Sequence, residues 1–397
     1  MTRRRQKREN KKNKEKKKKQ GQKKKKEKKE KRDWTAIIFR NAPLYYLCYY
    51  LDRYGFAALE TLSRSMQEYA RTIIRARNEK LPEGKRMANL NEDFTVWKVC
   101  KRLLQLEERH PLDIISIGGY MDKQIVNRVM SLDLVTMRCT TLNPMIYPRQ
   151  GHASVVLDGK LFVIGGVSNR IGYLSSVECL DLETGQRSEM APMITPRSSN
   201  GAAVLEGKIY VAGGWTGSHS FPLVESFDAA TNQWTAVAPM NTCRSFYGMV
   251  SSQGKLFAVG GVDNQDDVLS SVEMFDPNTG EWTDIQSLII PRYGLAVAVL
   301  GDKLYAIGGK DSDGVHRLGS VECLDLSVPN SQWTTVAPMT TPRLNMGAVV
   351  TGGTIYIAGG HGSSSIECFD PDDGPAGRWT VVSETSQFAY VASLSTC

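Results

Sequence analysis

Five arginines stand at one recurring place in this chain of 397 residues: Arg149, Arg197, Arg244, Arg292 and Arg343. Four of the five follow a proline; Arg244 follows a cysteine. Five glutamates recur alongside them, each in a Val-Glu or Ile-Glu pair: Glu178, Glu225, Glu273, Glu322 and Glu367. The chemistry such arginines offer is recognition of carboxylates, because the planar guanidinium donates two parallel hydrogen bonds. Two destinations are open. The arginines face acidic groups of a partner, or each one pairs with the glutamate of its own repeat. Both series occur once per repeat, so spacing leaves the choice open, and the five arginines stand as candidate partner-binding residues.

Other residue types carry less. Glycine pairs at 118/119, 165/166, 213/214, 260/261, 308/309 and 359/360 invite a phosphate-loop reading. The patterns that open a phosphate-binding helix are absent, however. Cys179, Cys323 and Cys368 share one strand position with Ser226 and Met274, which marks a packing site rather than a reactive thiol. His219, His316 and His361 fall in the loops after the glycine pairs, but no set of three or four ligands at metal spacing is visible. No Ser-His-Asp arrangement can be singled out. No catalytic residue, metal site or cofactor is assigned.

The elements that must position these residues are repeats. KLFVIGG, KIYVAGG, KLFAVGG and KLYAIGG begin at Lys160, Lys208, Lys255 and Lys303, and the glycine pairs are 47, 48, 47, 48 and 51 residues apart. That period belongs to four-stranded propeller blades. Each unit runs from the arginine entry through a small-residue strand, as in PRQGHASVVL (148–157), to a tight turn and the strand ending in Gly-Gly. A variable loop, a VExxD-type strand, a turn and a Trp (234, 282, 333 or 379) complete it. KLFVIGG is too apolar to alternate, so both its faces are expected to be buried between neighbouring blades. The Trp supplies a broad surface for the wedge between blades. Six units closed into a ring remove every exposed sheet edge.

The ends of the repeat region predict how the ring closes. The first unit, from Asp113, has no arginine-entry strand before it, and SQFAYVASL (386–394) is a strand left over after the last Trp. The leftover strand is expected to complete the first blade.

Over 113–397 the PR…GG…VExxD…W…APM order resembles the kelch-repeat family, and its spelling is closest to the propellers of the Kelch-like adaptors. The resemblance implies an all-β fold, a six-bladed kelch β-propeller closed by the C-terminal strand. It also implies a propeller face that holds a protein or peptide, with entry arginines near the channel mouth contacting acidic peptides. Kelch-like adaptors carry BTB and BACK domains and recruit a cullin-RING ubiquitin ligase, which would make cullin-type ligase subunits partners here. Residues 34–110 are too few for both modules and match neither. LP at 81–82 and VWKVCKRLL at 96–104 look like the start and end of an F-box, with a shorter segment between them than that motif needs. Within the repeats, unit two has Arg187 where Trp is expected, and unit one has Met130 in the glutamate position. Looser packing is expected in those two blades.

The loops where the repeats stop agreeing are the natural specificity elements. Tyr120, Arg170, Tyr173, Trp215, Phe221 and Arg317 are their candidate partner-binding anchors, since aromatic and arginine side chains dominate binding energy at interfaces. A non-enzymatic protein-interaction module is the leading reading. A cytoskeletal or nuclear scaffold and a propeller enzyme using the central pocket are the alternatives.

The net charge of +8 describes neither part of the chain. Residues 1–32 hold 20 Lys or Arg and 4 Glu, a net +16, which leaves −8 for the rest. Residues 1–33 read as a disordered basic tail, suited to non-specific contact with nucleic acid or another acidic surface. Residues 34–110 read as a small helical segment: Leu59, Leu62, Met66, Tyr69 and Ile73 recur at steps of 3 and 4, and Phe94, Trp97, Cys100 and Leu104 suggest a second helix. The longest early apolar run, 42–51, is half the length of a membrane span. Without a secretory leader or CxxC spacing, the chain reads as cytoplasmic or nuclear, with reduced thiols.

Overall fold

A computed structural model describes residues 113–121, 124–134, 138–361, 363–384 and 393–396. The basic tail and the helical segment expected over 34–110 lie outside the described residues.

Six four-stranded antiparallel sheets follow one another along the chain, and they are the six blades expected. In blade four, Gly248–Ser252, Lys255–Val259, Val272–Asp276 and Glu281–Ile285 pair in sequence order. Blades two, three, five and six are built alike. Blade one takes its first strand from the far end of the chain: Ser393–Thr396 pairs antiparallel with Asp113–Ile117, Ile114 opposite Thr396 and Ile117 opposite Ser393. The last strand therefore completes the first blade; its described part is Ser393–Thr396, and residues 386–392 of the expected strand lie outside the described residues. The first strands of successive blades touch around the ring, and Ser393–Thr396 bridges Gly347–Thr351 of blade six and Ala153–Leu157 of blade two.

The core is distributed between blades. One apolar cluster joins Phe162, Ile164 and Cys179 of blade two to Ile209, Val211 and Phe227 of blade three. Equivalent clusters fill the other junctions, including Ile114 and Leu132 of blade one against Val349 and Ile366 of blade six. In the strand Lys160–Ile164 only the leading lysine is exposed. Both its faces are packed against neighbours, as its lack of alternation predicted.

The tryptophans of blades three to six make the same link. Trp234, Trp282, Trp333 and Trp379 each donate Nε1–H to a carbonyl of the preceding blade: Ala191, Ala238, Gln286 and Ala337. Blade two keeps the link without the ring. Arg187 donates from Nη2 to the Asn143 carbonyl at 2.6 Å, and its Nη1 lies 3.3 Å from Glu178. A guanidinium thus reaches the carbonyl that an indole reaches elsewhere, so the link to the preceding blade is kept at Arg187.

Candidate functional site

Each entry arginine is enclosed by its own blade. Arg244 donates to the Gly260 and Ser271 carbonyls from Nη1, and to the Ser271 hydroxyl and Glu273 from Nη2. Arg149, Arg292 and Arg343 repeat these Nη bonds, and Arg197 lacks the serine hydroxyl, where Leu223 stands. Arg197 and Arg292 also donate from Nε to the Thr195 and Ile290 carbonyls. All five arginines are 0% exposed. Glu273 also accepts from the amides of Asn241 and Thr242, which fixes the turn leading to Arg244. Burial pushes Arg149, Arg197 and Arg292 below the ordinary guanidinium pKa, and the paired glutamates oppose the shift.

The expectation that Arg149, Arg197, Arg244, Arg292 and Arg343 contact a partner is therefore corrected. Their Nη donors are already committed to glutamates, carbonyls and serine hydroxyls, and no part of these side chains reaches the surface. Phe221 is corrected in the same way. It is 6% exposed, with the Arg197 guanidinium 4.9 Å from its ring centre.

The arginines tie the glycine pairs into the ring. The first glycine accepts from its own blade's guanidinium, and the amide of the second donates to the carbonyl of the next entry arginine. Gly214 does so to Arg244, and Gly261 to Arg292, both at 2.9 Å. Gly260 has φ +64, and a Cβ there would stand 2.5 Å from the Arg292 carbonyl oxygen. Close backbone approach and a left-handed angle make the position a glycine.

What these staples hold is one end of the ring. The residue after each entry arginine bridges the residue after each glycine pair: Gln150 with Val167, Ser198 with Trp215, Ser245 with Val262, Tyr293 with Lys310, and Leu344 with His361. One position further on, neighbouring blades join through backbone. Ser199 donates to Gly151, Phe246 to Ser199, Gly294 to Phe246 and Asn345 to Gly294, at 2.6 to 3.1 Å. All five residues have positive φ. They form an arc over blades two to six that presents Phe246, 40% exposed, at its rim.

Two pockets open on this end. A pocket of about 570 Å³ lies between blades five and six and is lined by Lys310, His316, Arg317 and His361, with Val315 and Leu344. Lys310 and Arg317 make it cationic. Burial, with help from the Arg317 charge, lowers the His361 pKa below its ordinary value. The other pocket, about 490 Å³, spans blades three to five, with Trp215, Phe246 and Tyr293 beside Asp266 and Asp311. The loop 310–317 of blade five contributes to both.

Of the loop residues expected to bind, Trp215 and Arg317 line these pockets. Tyr120 and Arg170 are exposed on blades one and two, away from both. Tyr173 is half-buried and crowds Gly217 of the next blade's loop. Phe246, Tyr293, Lys310 and Asp311 were not singled out from sequence, and His361 was noted only as a loop histidine without metal spacing. The available signal was their position, one or two residues past an entry arginine or a glycine pair. Among the described residues no group of three or more His, Cys, Asp or Glu is arranged to hold a metal ion, and no helix is long and apolar enough to cross a membrane.

A family model described as the KLHDC2/KLHL20/DRC7 Kelch-repeats domain matches residues 111–288, and the Kelch motif matches 291–340 and 342–386. The chain belongs to the kelch-repeat propeller proteins. This kelch propeller is 36% identical over 58 residues, 15% of its own length, to a putative F-box/kelch-repeat protein of Arabidopsis thaliana, and the match spans 16% of that relative. A solved structure titled "Structure of YjhT" superimposes with a TM-score of 0.55 at 19% identity, over 63% of this chain and 88% of that one. That likeness is one of fold.

Proposed function

We propose that this kelch propeller is a non-enzymatic recognition module that binds a protein or peptide on the end of the ring bearing the post-glycine loops. The observation that carries the reading is the contrast between a buried framework and an unlike, open rim. Arginine–glutamate staples fix the rim, while the loops they hold line a cationic pocket and an aromatic–acidic pocket side by side. Mixed chemistry at that spacing suits an extended peptide chain more than a small metabolite. Lys310 and Arg317 would receive a carboxylate of that peptide, a task the sequence had led us to give to the entry arginines.

Capture from cell lysate by the full chain, with captured proteins identified by mass spectrometry, tests the reading. The Lys310→Glu/Arg317→Glu variant is expected to lose proteins that the natural sequence retains. Identical captured sets would overturn it.

Delivery of that partner to a cullin-RING ubiquitin ligase is a further step that we propose. It is supported by the kelch family and by the name of the Arabidopsis relative. Co-purification of a cullin with the full chain is the expected result, and its absence would remove the ligase step while leaving the recognition module intact. A cytoplasmic or nuclear site of action is proposed with it. Deleting residues 1–32 is expected to shift a fluorescently tagged chain's distribution between the two.

A further inference from the structure

Three aromatic residues from three consecutive blades line one pocket, and two carboxylates share it. Trp215 comes from the loop of blade three, Phe246 from the entry of blade four and Tyr293 from the entry of blade five. Asp266 and Asp311 come from the loops of blades four and five. An aromatic face attracts a cation within about 6 Å of its centre, and the attraction strengthens where water is excluded. Carboxylates beside such faces add direct charge attraction.

We propose that this pocket of about 490 Å³ is a receptor for a cationic side chain of a bound peptide, either an ammonium, plain or methylated, or a guanidinium. The inference deepens the peptide-binding reading of this face and rests on it.

A second observation points to a cation. Asp311 Oδ1 is enclosed with no donor at good hydrogen-bonding geometry, although the side chain as a whole is half-buried and its carboxyl takes weaker backbone contacts from its own amide and that of Gly314. An under-satisfied carboxylate oxygen is costly. Asp313, hydrogen-bonded to the Asp311 side chain, raises the Asp311 pKa above the ordinary carboxylate range, while its own falls. Two acidic groups in that relation repel when both are ionised, and an incoming cation relieves the repulsion. The nearby buried Arg292 feels the Asp311 charge, but its donors are tied to Glu322, Gly308 and Ser320. The loop 310–317 separates this pocket from the cationic one through adjacent residues, Lys310 on one side and Asp311 on the other. A ligand lying across the loop would therefore present opposite charges to the two pockets.

Fluorescence polarisation with capped glycine–serine peptides tests this on the full chain. Each labelled peptide carries one central lysine, trimethyllysine, arginine, norleucine or glutamate. At least one basic peptide is expected to bind tenfold or more tighter than norleucine, a difference of about 1.4 kcal/mol. Asp266→Asn/Asp311→Asn is expected to abolish that preference, and Trp215→Leu to reduce it. Arg170→Gln, exposed and lining neither pocket, is expected to leave it intact, and Arg317→Gln to weaken binding of the glutamate peptide. Melting curves establish that each variant is folded. Equal binding of the basic and norleucine peptides, or a preference that survives the double variant, would overturn the cation receptor. If the glutamate peptide still binds through Arg317 in that case, the peptide-binding face stands without it. If no peptide's binding responds to any variant, both fall.

Discussion

The Arg244 guanidinium and the Glu273 carboxylate meet at 2.5 Å, and neither side chain is exposed. The same pair of residue types recurs in blades two to six, so the two series seen in the sequence are a single device. A buried pair of this kind is costly to break from one side, because the remaining charge is stranded away from water.

Breaking one staple should therefore cost more than removing it whole. Arg244→Met alone is expected to lower unfolding stability by about 3–5 kcal/mol. The double variant Arg244→Met/Glu273→Met is expected to cost less than the sum of the single changes. Urea unfolding of the four proteins gives the coupling energy, and strict additivity would contradict the pairing.

Closure should depend on a few residues far from the first blade in sequence. Deleting 393–397 strips Asp113–Ile117 of the strand it pairs with and leaves an open edge in the ring. A lower melting temperature and exposure of the blade-one amides to hydrogen exchange are expected. An unchanged melting temperature would sink the closure.

Gly260 offers a backbone test of the staples. Gly260→Ala adds a left-handed penalty of roughly 1–2 kcal/mol to a clash with the Arg292 carbonyl. Gly254→Ala also has a positive φ but open space around it, so it isolates the conformational cost. Thermal unfolding should show the first variant as clearly the weaker, and equal losses would mean that close approach contributes nothing.

His152 should make the fold acid-sensitive. It is buried, and burial followed by the Arg149 charge lowers its pKa to about 3. Between pH 6.5 and about 3 the unfolded chain binds a proton there that the folded chain refuses. Stability is then fully present above pH 6.5 and falls with pH across that window, by up to about 1.4 kcal/mol per pH unit from this group. His152→Gln is expected to flatten the slope of stability against pH in that window. An unchanged slope would show that other groups set it.

The fold was legible because each blade meets its neighbours through the same residues. Phe227 opposite Trp234 and Phe275 opposite Trp282 are spelled alike since they fill equivalent wedges. Arg187 was harder to read. A residue-type pattern looks for an indole, whereas the conserved requirement of the geometry is a donor to the preceding blade, and Arg187 supplies one to Asn143. The site was half legible. Arg317 and Trp215 were visible as loop residues of binding type, but the pairing of Arg149 with Glu178 could not be separated from partner recognition by spacing alone. Phe246 was hidden because the arc that carries it forms from bonds between blades, about 47 residues apart in sequence, and Tyr293 because it is placed by the neighbouring arc residue Gly294 and by its bridge to Lys310.

The central claim is that recognition occurs at the loop-bearing end, on a framework the arginines hold from within. Hydrogen exchange of the full chain, with and without a partner peptide captured by it, tests this most directly. Protection is predicted in the segments 244–246 and 310–317. Protection confined to the opposite end, at the turns 158–159, 206–207, 253–254 and 301–302, would contradict it.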